Sequence, residues 1–285
     1  MDRVELGSGK QVLTNDDYKP KAEMGAFAGR RHEMEVVHAA WIWSSKNPPL
    51  SPLLVGDPGV GKNRIVYELH KETGLPLYIL QGHEDITAED LACSVRFADG
   101  ARDRMDYVLS PLVTAMYRGG ICFIDEIGKI RPRALALLVS VLDERRYIDS
   151  TLLGERVMAH DAFRFVAATN AGEERDLPEF IRSRLQPVVH VDHPSREDIN
   201  RIIASHHGMQ QEREELLGVF WELWRDRKDP LTPRQAIQLF ALASSFASYE
   251  LDGKLLRADQ PAIKTKHVRR AFDELYNRTE RESFK

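Results

Sequence analysis

Several large protein classes are excluded by what this chain lacks. No uninterrupted apolar run approaches the roughly 18 residues that a membrane-spanning helix needs. The first thirty residues (MDRVELGSGKQVLTNDDYKPKAEMGAFAGR) are charged and mixed, without the apolar centre of a secretion leader. Cysteine is scarce: Cys93 and Cys122 stand far apart in apolar surroundings, which is neither a disulfide framework nor a metal-ligand spacing. An excess of positive charge is also missing, since 40 basic residues face 44 acidic ones, well mixed, for a net charge of -4. No basic surface therefore advertises nucleic acid. There is no internal repeat and no low-complexity tract. These absences predict a soluble, unsecreted protein of the reducing cytoplasm.

What is present points to a packed protein. At 285 residues, with 42% hydrophobic and 29% charged side chains, the chain has room for two modest domains. Short apolar runs alternate with helical patterns through the first two thirds, which predicts a mainly parallel sheet covered by helices. The expected strands are SPLLVG (51–56), PLYIL (76–80), GICFIDE (120–126), FRFVAAT (163–169) and PVVHV (187–191). Between them, RHEMEVVHAAWIW, NRIVYELHKET and RPRALALLVSVLDERR read as helices, the last with Leu135, Leu138 and Leu142 at near-helical spacing.

After His193-Pro194 the strand patterns stop. SREDINRIIASHH opens on Ser195 with Asp198 three residues on, a box-like helix start, and helices are expected at EREELLGVFWELWRD, TPRQAIQLFALASSFASY and IKTKHVRRAFDELYNR. The predicted organisation is an N-terminal extension over 1–27, an α/β domain over 28–193 and an all-α domain over 194–285.

The stretch GDPGVGKN, Gly56 to Asn63, follows an apolar strand and precedes a helix, the context in which G-x-x-x-x-G-K forms a phosphate-gripping loop. Without side chains at Gly56, Gly59 and Gly61, the backbone folds into a nest of N–H donors, and Lys62 reaches the β- and γ-oxygens. The residue after that lysine is normally Ser or Thr, whose hydroxyl binds magnesium; here it is Asn63. Its amide oxygen is also a hard ligand, on a longer arm.

The strand ICFIDE ends in two adjacent acids. In a phosphoryl-transfer site Asp125 helps to hold Mg²⁺, mostly through water, and Glu126 orients or deprotonates the attacking water. A further strand ends in Asn170, whose amide both donates and accepts and so suits the lytic water or the γ-phosphate.

Together these stretches resemble the AAA+ ATPases: GDPGVGKN is similar to Walker A, FIDE to Walker B and AATN to sensor 1, with LPEFIRSRL and LTPRQAIQLF fitting later in the chain over about residues 28–250. The resemblance is strongest to the MoxR branch, near the CbbQ and NorQ activators, through ILQGHEDITAEDL, DEIGKIRP and GERVMAHDAFRFVAATN. It implies a P-loop core with a helical lid, a hexameric ring, and ATP and Mg²⁺ as ligands. It also implies chaperone-like work on a protein client or partner, commonly one with a von Willebrand factor A domain. The nucleotide-binding residues it implies are Gly56, Asp57, Pro58, Gly59, Val60, Gly61, Lys62, Asn63 and Arg64, with Asp125 and Asn63 towards the metal. The catalytic set is Lys62, Glu126, Asn170, Arg184 and Arg234. Arg184 is the implied arginine finger, with Arg182 second, and Arg234 the implied sensor 2, which also touches nucleotide. Gln81, after the second strand, is implied to restrain Glu126.

Two further stretches, 96–109 and 145–161, read as hairpin insertions turning at Asp99-Gly100 and Leu153-Gly154. His206-His207 reads as a positively biased helix end, Phe220, Trp221 and Trp224 as helical-domain core, and Arg269-Arg270 as a solvated face. Three functions stay open at this point: an ATP-hydrolysing remodeller, a nucleotide-gated binding module in which Asn63 leaves ATP uncleaved, and a DNA-directed motor of the same fold.

Overall fold

The structure is a computed structural model that describes residues 1–20, 25, 27–42, 47–97, 105–206, 213–252 and 262–277. It divides into two compact units, one of Met1–Lys21, Arg30–Asp57 and Lys62–Val191, the other of Ala22–Gly29, Pro58–Gly61 and Asp192–Lys285. In chain order the strands are β1 (Arg3–Glu5), β2 (Gln11–Leu13), β3 (Leu53–Val55), β4 (Leu77–Gln81), β5 (Cys93–Phe97), β6 (Met105–Leu109), β7 (Ile121–Asp125), β8 (Tyr147–Ser150), β9 (Glu155–Met158), β10 (Arg164–Thr169) and β11 (Val188–His190).

The first unit is organised by a five-stranded parallel sheet in the order β11-β3-β10-β7-β4. Each of its strands falls where an apolar run predicts one. Leu53, Leu54, Ile121, Cys122, Phe123, Ile124, Val166, Ala167 and Ala168 are fully buried, as continuous apolar runs must be when helices cover both faces of a parallel sheet. The flanking helices include α1 (Arg31–Ala40), α2 (Lys62–Thr73), α3 (Ala88–Ala92) and α4 (Pro111–Arg118).

Three features of this unit depart from the expectation. Residues 1–27, expected as an extension, include a hairpin: β1 and β2 pair antiparallel around Gly9, which has φ +79°, and β2 joins β6 at Leu13. Leu6, Val12 and Leu13 are buried there, in a sheet ordered β1-β2-β6-β5. The second departure is α4, unforeseen although Ser110 caps it by accepting from the Val113 N–H at 3.1 Å, Pro111 opens it and Gly119 closes it with φ +78°. Thirdly, the helix expected over 131–146 is broken into α5 (Pro132–Leu135), a 3₁₀ turn (Ala136–Leu138) and α6 (Val139–Leu142). Leu135 and Leu138 are buried all the same. Residues 145–161 do form a hairpin, β8 with β9, whereas the Asp99-Gly100 turn lies outside the described residues. A short α7 (Glu179–Arg182) follows β10.

The second unit is helical, with α8 (Arg196–His206), α9 (Arg213–Trp224), α10 (Pro233–Asp252) and α11 (Thr265–Phe272). The Asp198 N–H donates to Ser195 Oγ at 3.1 Å, which starts α8. Thr232 and Gln235 form a reciprocal pair that starts α10: the Gln235 N–H donates to Thr232 Oγ1 and the Thr232 N–H to Gln235 Oε1. Phe220, Trp224 and Phe240 are buried in this unit's core, and Trp221 packs at its margin, donating to Asn200 Oδ1 at 2.8 Å. His207 lies outside the described residues. Among the described residues no helix is long and apolar enough to cross a membrane.

Because Phe123 is fully buried in the inner strand β7, Phe123→Ala should lower unfolding free energy by about 3–5 kcal/mol. A urea titration followed by circular dichroism checks this, and a loss below about 1 kcal/mol would show that the site collapses around the cavity.

Candidate functional site

The parallel sheet sets the site, since all its strands deliver their carboxyl ends to one edge, where open α/β sheets bind ligands. Gln81 pairs with Asp125 in the β4–β7 register, and Thr169 pairs with Val55 in the β10–β3 register. The loop after β3, the acids that end β7 and the residue after β10 are thereby brought together.

Lys62, the first residue of α2, is only 7% exposed. Its Nζ donates to the carbonyls of Gly56 at 2.5 Å and Asp57 at 3.2 Å, and to Asn170 Oδ1 at 3.2 Å. Burial holds this ammonium below the usual lysine range, against the pull of Asp125, Asp57, Glu173 and Glu126. Gly59 and Gly61 have φ of +88° and +110°, a backbone that side chains disfavour and that turns successive N–H groups inward. A Cβ on Gly61 would meet nothing within 4 Å, so its restriction is conformational.

Asn63 Nδ2 donates to Asp125 Oδ2 at 2.8 Å. The two residues expected to face the metal therefore stand side by side, but through the amide nitrogen and not the oxygen. One turn along α2 from Asn63, burial first and then the adjoining Tyr18 push the Tyr67 phenol up to about 12. The two rings stack with centroids 5.6 Å apart. Among the described residues no group of three or more His, Cys, Asp or Glu side chains is placed to hold a metal ion.

Glu126 has φ +55°, in the left-handed region. Its Oε2 accepts from Gln81 Nε2 at 2.8 Å and from Lys129 Nζ at 2.8 Å. Gly82 makes this geometry possible, because a Cβ there would stand 2.3 Å from the Glu126 carbonyl oxygen. Asn170 is oriented by a residue that sequence reasoning missed: Glu173 accepts from Asn170 Nδ2 at 3.1 Å, from the Asn170 N–H at 3.3 Å and from Thr169 Oγ1 at 3.2 Å. The spacing Thr-Asn-x-x-Glu was the available clue, an acid three residues after a turn-forming Asn.

The arginines fall elsewhere. Arg184 is half-buried, its Nη1 donating to the Phe180 carbonyl at 2.7 Å and its Nε 3.9 Å from Asp143. Neither partner belongs to the Lys62 cluster. Arg182 is more exposed and ion-paired with Glu179, and Arg64 pairs with Glu68 at 2.6 Å along α2. Within the second unit, Arg234 is exposed at the start of α10, and a Cβ on Gly59 would stand 3.1 Å from Arg234 Cβ and 3.3 Å from Thr232 Oγ1.

Residues 51–185 match the AAA domain (dynein-related subfamily). Among curated relatives, the denitrification regulatory protein NirQ of Pseudomonas aeruginosa is 32% identical over 179 residues, which cover 62% of this chain and 66% of NirQ. Protein NorQ of Paracoccus denitrificans is 31% identical over 168 residues, 58% of this chain and 60% of NorQ. The chain thus spans just under two thirds of the length of these relatives. RuvB of Thermotoga maritima, in one variant, superposes with a TM-score of 0.59 at 19% identity, covering 87% of this chain and 71% of that one, a likeness of fold alone. The chain carries an AAA domain of the MoxR-like type. It is homologous to NirQ and NorQ.

The hydrogen bonds from Asn170 first, then its backbone N–H and Thr169, hold the Glu173 carboxyl below the usual range against its own desolvation. A depressed carboxylate contributes stability that is present above its unfolded value, about 4.3, and lost as pH falls through the folded value. Melting temperature measured from pH 6 downward should therefore fall less steeply below about pH 4.3 in Glu173→Gln than in the wild type. Parallel curves would mean that these bonds do not discriminate the charged form.

Proposed function

We propose that this protein binds ATP with Mg²⁺, hydrolyses it in a hexameric ring of its own copies, and uses the cycle to remodel or activate a partner protein. The observation that carries the reading is the meeting of Lys62, Asn63, Asp125, Glu126 and Asn170 at one sheet edge, linked by the Lys62–Asn170 and Asn63–Asp125 hydrogen bonds. The donor set fits a magnesium nucleotide: a buried ammonium beside a loop of left-handed glycines for phosphate, and a carboxylate next to an amide as hard oxygen donors. Asp125 and Asn63 would hold the cation, which would supply charge neutralisation to the phosphates.

In this reading Lys62 leaves the Gly56 and Asp57 carbonyls for the phosphates, and loop N–H groups take the remaining oxygens. Glu126 accepts the proton of the attacking water, and Asn170, fixed by Glu173, positions that water. The MoxR-like resemblance makes Arg234 the sensor 2 arginine. Arg184 acts on the neighbouring copy's site, where a guanidinium forks onto the developing charge; its partial exposure leaves it reachable. The name of NirQ, a denitrification regulatory protein, supports a regulatory role, and a protein partner, commonly one with a von Willebrand factor A domain, follows from the MoxR-like resemblance. Two buried free thiols, Cys93 and Cys122, suit the reducing cytoplasm.

A second reading has one observation in its favour. The Asn63–Asp125 bond occupies a metal-facing carboxylate oxygen, and a protein that keeps this bond holds ATP without cleaving it, as a nucleotide-gated binding module.

Steady-state hydrolysis decides between them. The wild type should turn over, Glu126→Gln should lose about 10²- to 10⁴-fold in kcat, and Asn63→Thr should turn over faster than the wild type. Mixed Lys62→Ala and Arg184→Ala subunits should recover activity that neither has alone. Intact ATP recovered from wild type and Asn63→Thr alike would select the binding module, and no recovery on mixing would remove Arg184 from the neighbour's site.

A further inference from the structure

The guanidinium of Arg184 is only partly satisfied. Its Nη1 donates to the Phe180 carbonyl at 2.7 Å, but its Nε is buried and makes no hydrogen bond among the described residues. A buried donor without an acceptor is destabilising. The carboxylate placed to accept from it is Asp143, on the turn between α6 and β8, and it stands 3.9 Å from that Nε.

Arg145 keeps this gap open. Its N–H and Nε donate to Asp143 Oδ1 at 3.0 and 3.1 Å, and its Nε and Nη2 to Oδ2 at 3.1 and 2.6 Å. A carboxylate oxygen offers about two lone-pair directions, so a single neighbour engages both oxygens of Asp143 fully. The Arg145 side-chain bonds first, then its N–H and the charges of Arg145 and Arg184, hold the Asp143 carboxyl below its usual range against its own desolvation. The Arg145 guanidinium also lies over the Tyr147 ring, 5.6 Å from its centroid, a contact that favours a cation there.

Two arginines thus compete for one acid. Were Arg145 absent, Arg184 Nε would have to close only from 3.9 Å to about 2.9 Å to bond with Asp143. A guanidinium docked there commits to its own protomer the donors that a phosphate needs. We propose that Arg145 is a positioning residue which, by engaging both oxygens of Asp143, keeps Arg184 off that carboxylate and available to the phosphates held by a neighbouring copy. The inference rests on the hydrolytic reading given above, and within it on Arg184 as the arginine that acts across the interface. A purely structural ion pair would share the Arg145–Asp143 geometry, but its loss would leave Arg184 as it is.

Capture of Arg184 can be read without turnover. Phenylglyoxal adds to accessible guanidinium groups, and one that is forked onto a carboxylate reacts more slowly. In nucleotide-free protein, peptide mass spectrometry should show Arg184 modified about two- to five-fold more slowly in Arg145→Met than in the wild type, the range that a partly exposed pair supplies. Adding Asp143→Asn to the same chain should return the rate to near the wild-type value. Equal Arg184 rates in the wild type and Arg145→Met overturn the proposal.

Turnover should follow the same order. Arg145→Met should lower kcat about two- to five-fold with KM little changed, and Asp143→Asn in that background should restore it. An unchanged kcat in Arg145→Met, or a loss that Asp143→Asn does not repair, overturns the proposal. Absence of turnover in every variant would instead sink hydrolysis, and the modification of Arg184 would still judge whether Arg145 guards it.

Discussion

Everything at this site depends on one buried ammonium. Lys62 is taken out of water at the start of α2, and the cost of that burial is offset by three oxygens, two from the loop backbone and one from Asn170. Those three bonds tie the loop after β3 to the end of β10. A buried charge whose hydrogen bonds go only to neutral oxygens is a poised arrangement: it is satisfied enough to fold, yet phosphate oxygens offer it much stronger charge-assisted bonds. Folding and binding therefore draw on the same group.

Asn63 modifies that plan without dismantling it. A hydroxyl in its place would have one short arm, whereas the amide spans to Asp125, and one turn further along α2 the Tyr67 ring stacks on Tyr18. Tyr18 itself lies in the N-terminal stretch, and its N–H donates to the Leu77 carbonyl at 2.7 Å. The N-terminal stretch thus reaches α2 through the stacked Tyr18 and Tyr67 rings. In the hydrolytic reading, Asn63 and Asp125 are the residues that would hold Mg²⁺.

Much of this was legible in the residues. The five buried strands stood out because both faces of the sheet are covered, so each strand reads as an unbroken apolar run, Ile121 to Ile124 most clearly. The phosphate loop, the acid pair and Asn170 were legible because their roles demand particular residue types at fixed spacing from strand ends. The hairpin of β1 and β2 was not, since its strands are three residues each, β1 without a buried residue and β2 burying Val12 and Leu13 in succession, which leaves no alternation to read. Glu173 and Arg145 were missed for a different reason. They act through other side chains, and no spacing rule marks a residue whose task is to hold a neighbour. Helix α4 carries its start and stop residues in the sequence, with Ser110, Pro111 and Gly119 all in place.

The most direct measurement is equilibrium binding of a fluorescent ATP analogue with Mg²⁺ to the full chain and to Lys62→Ala. If the poised ammonium is the hub, the wild type binds at micromolar concentrations and the variant at least about ten-fold more weakly. Equal affinity in the two proteins would contradict the account.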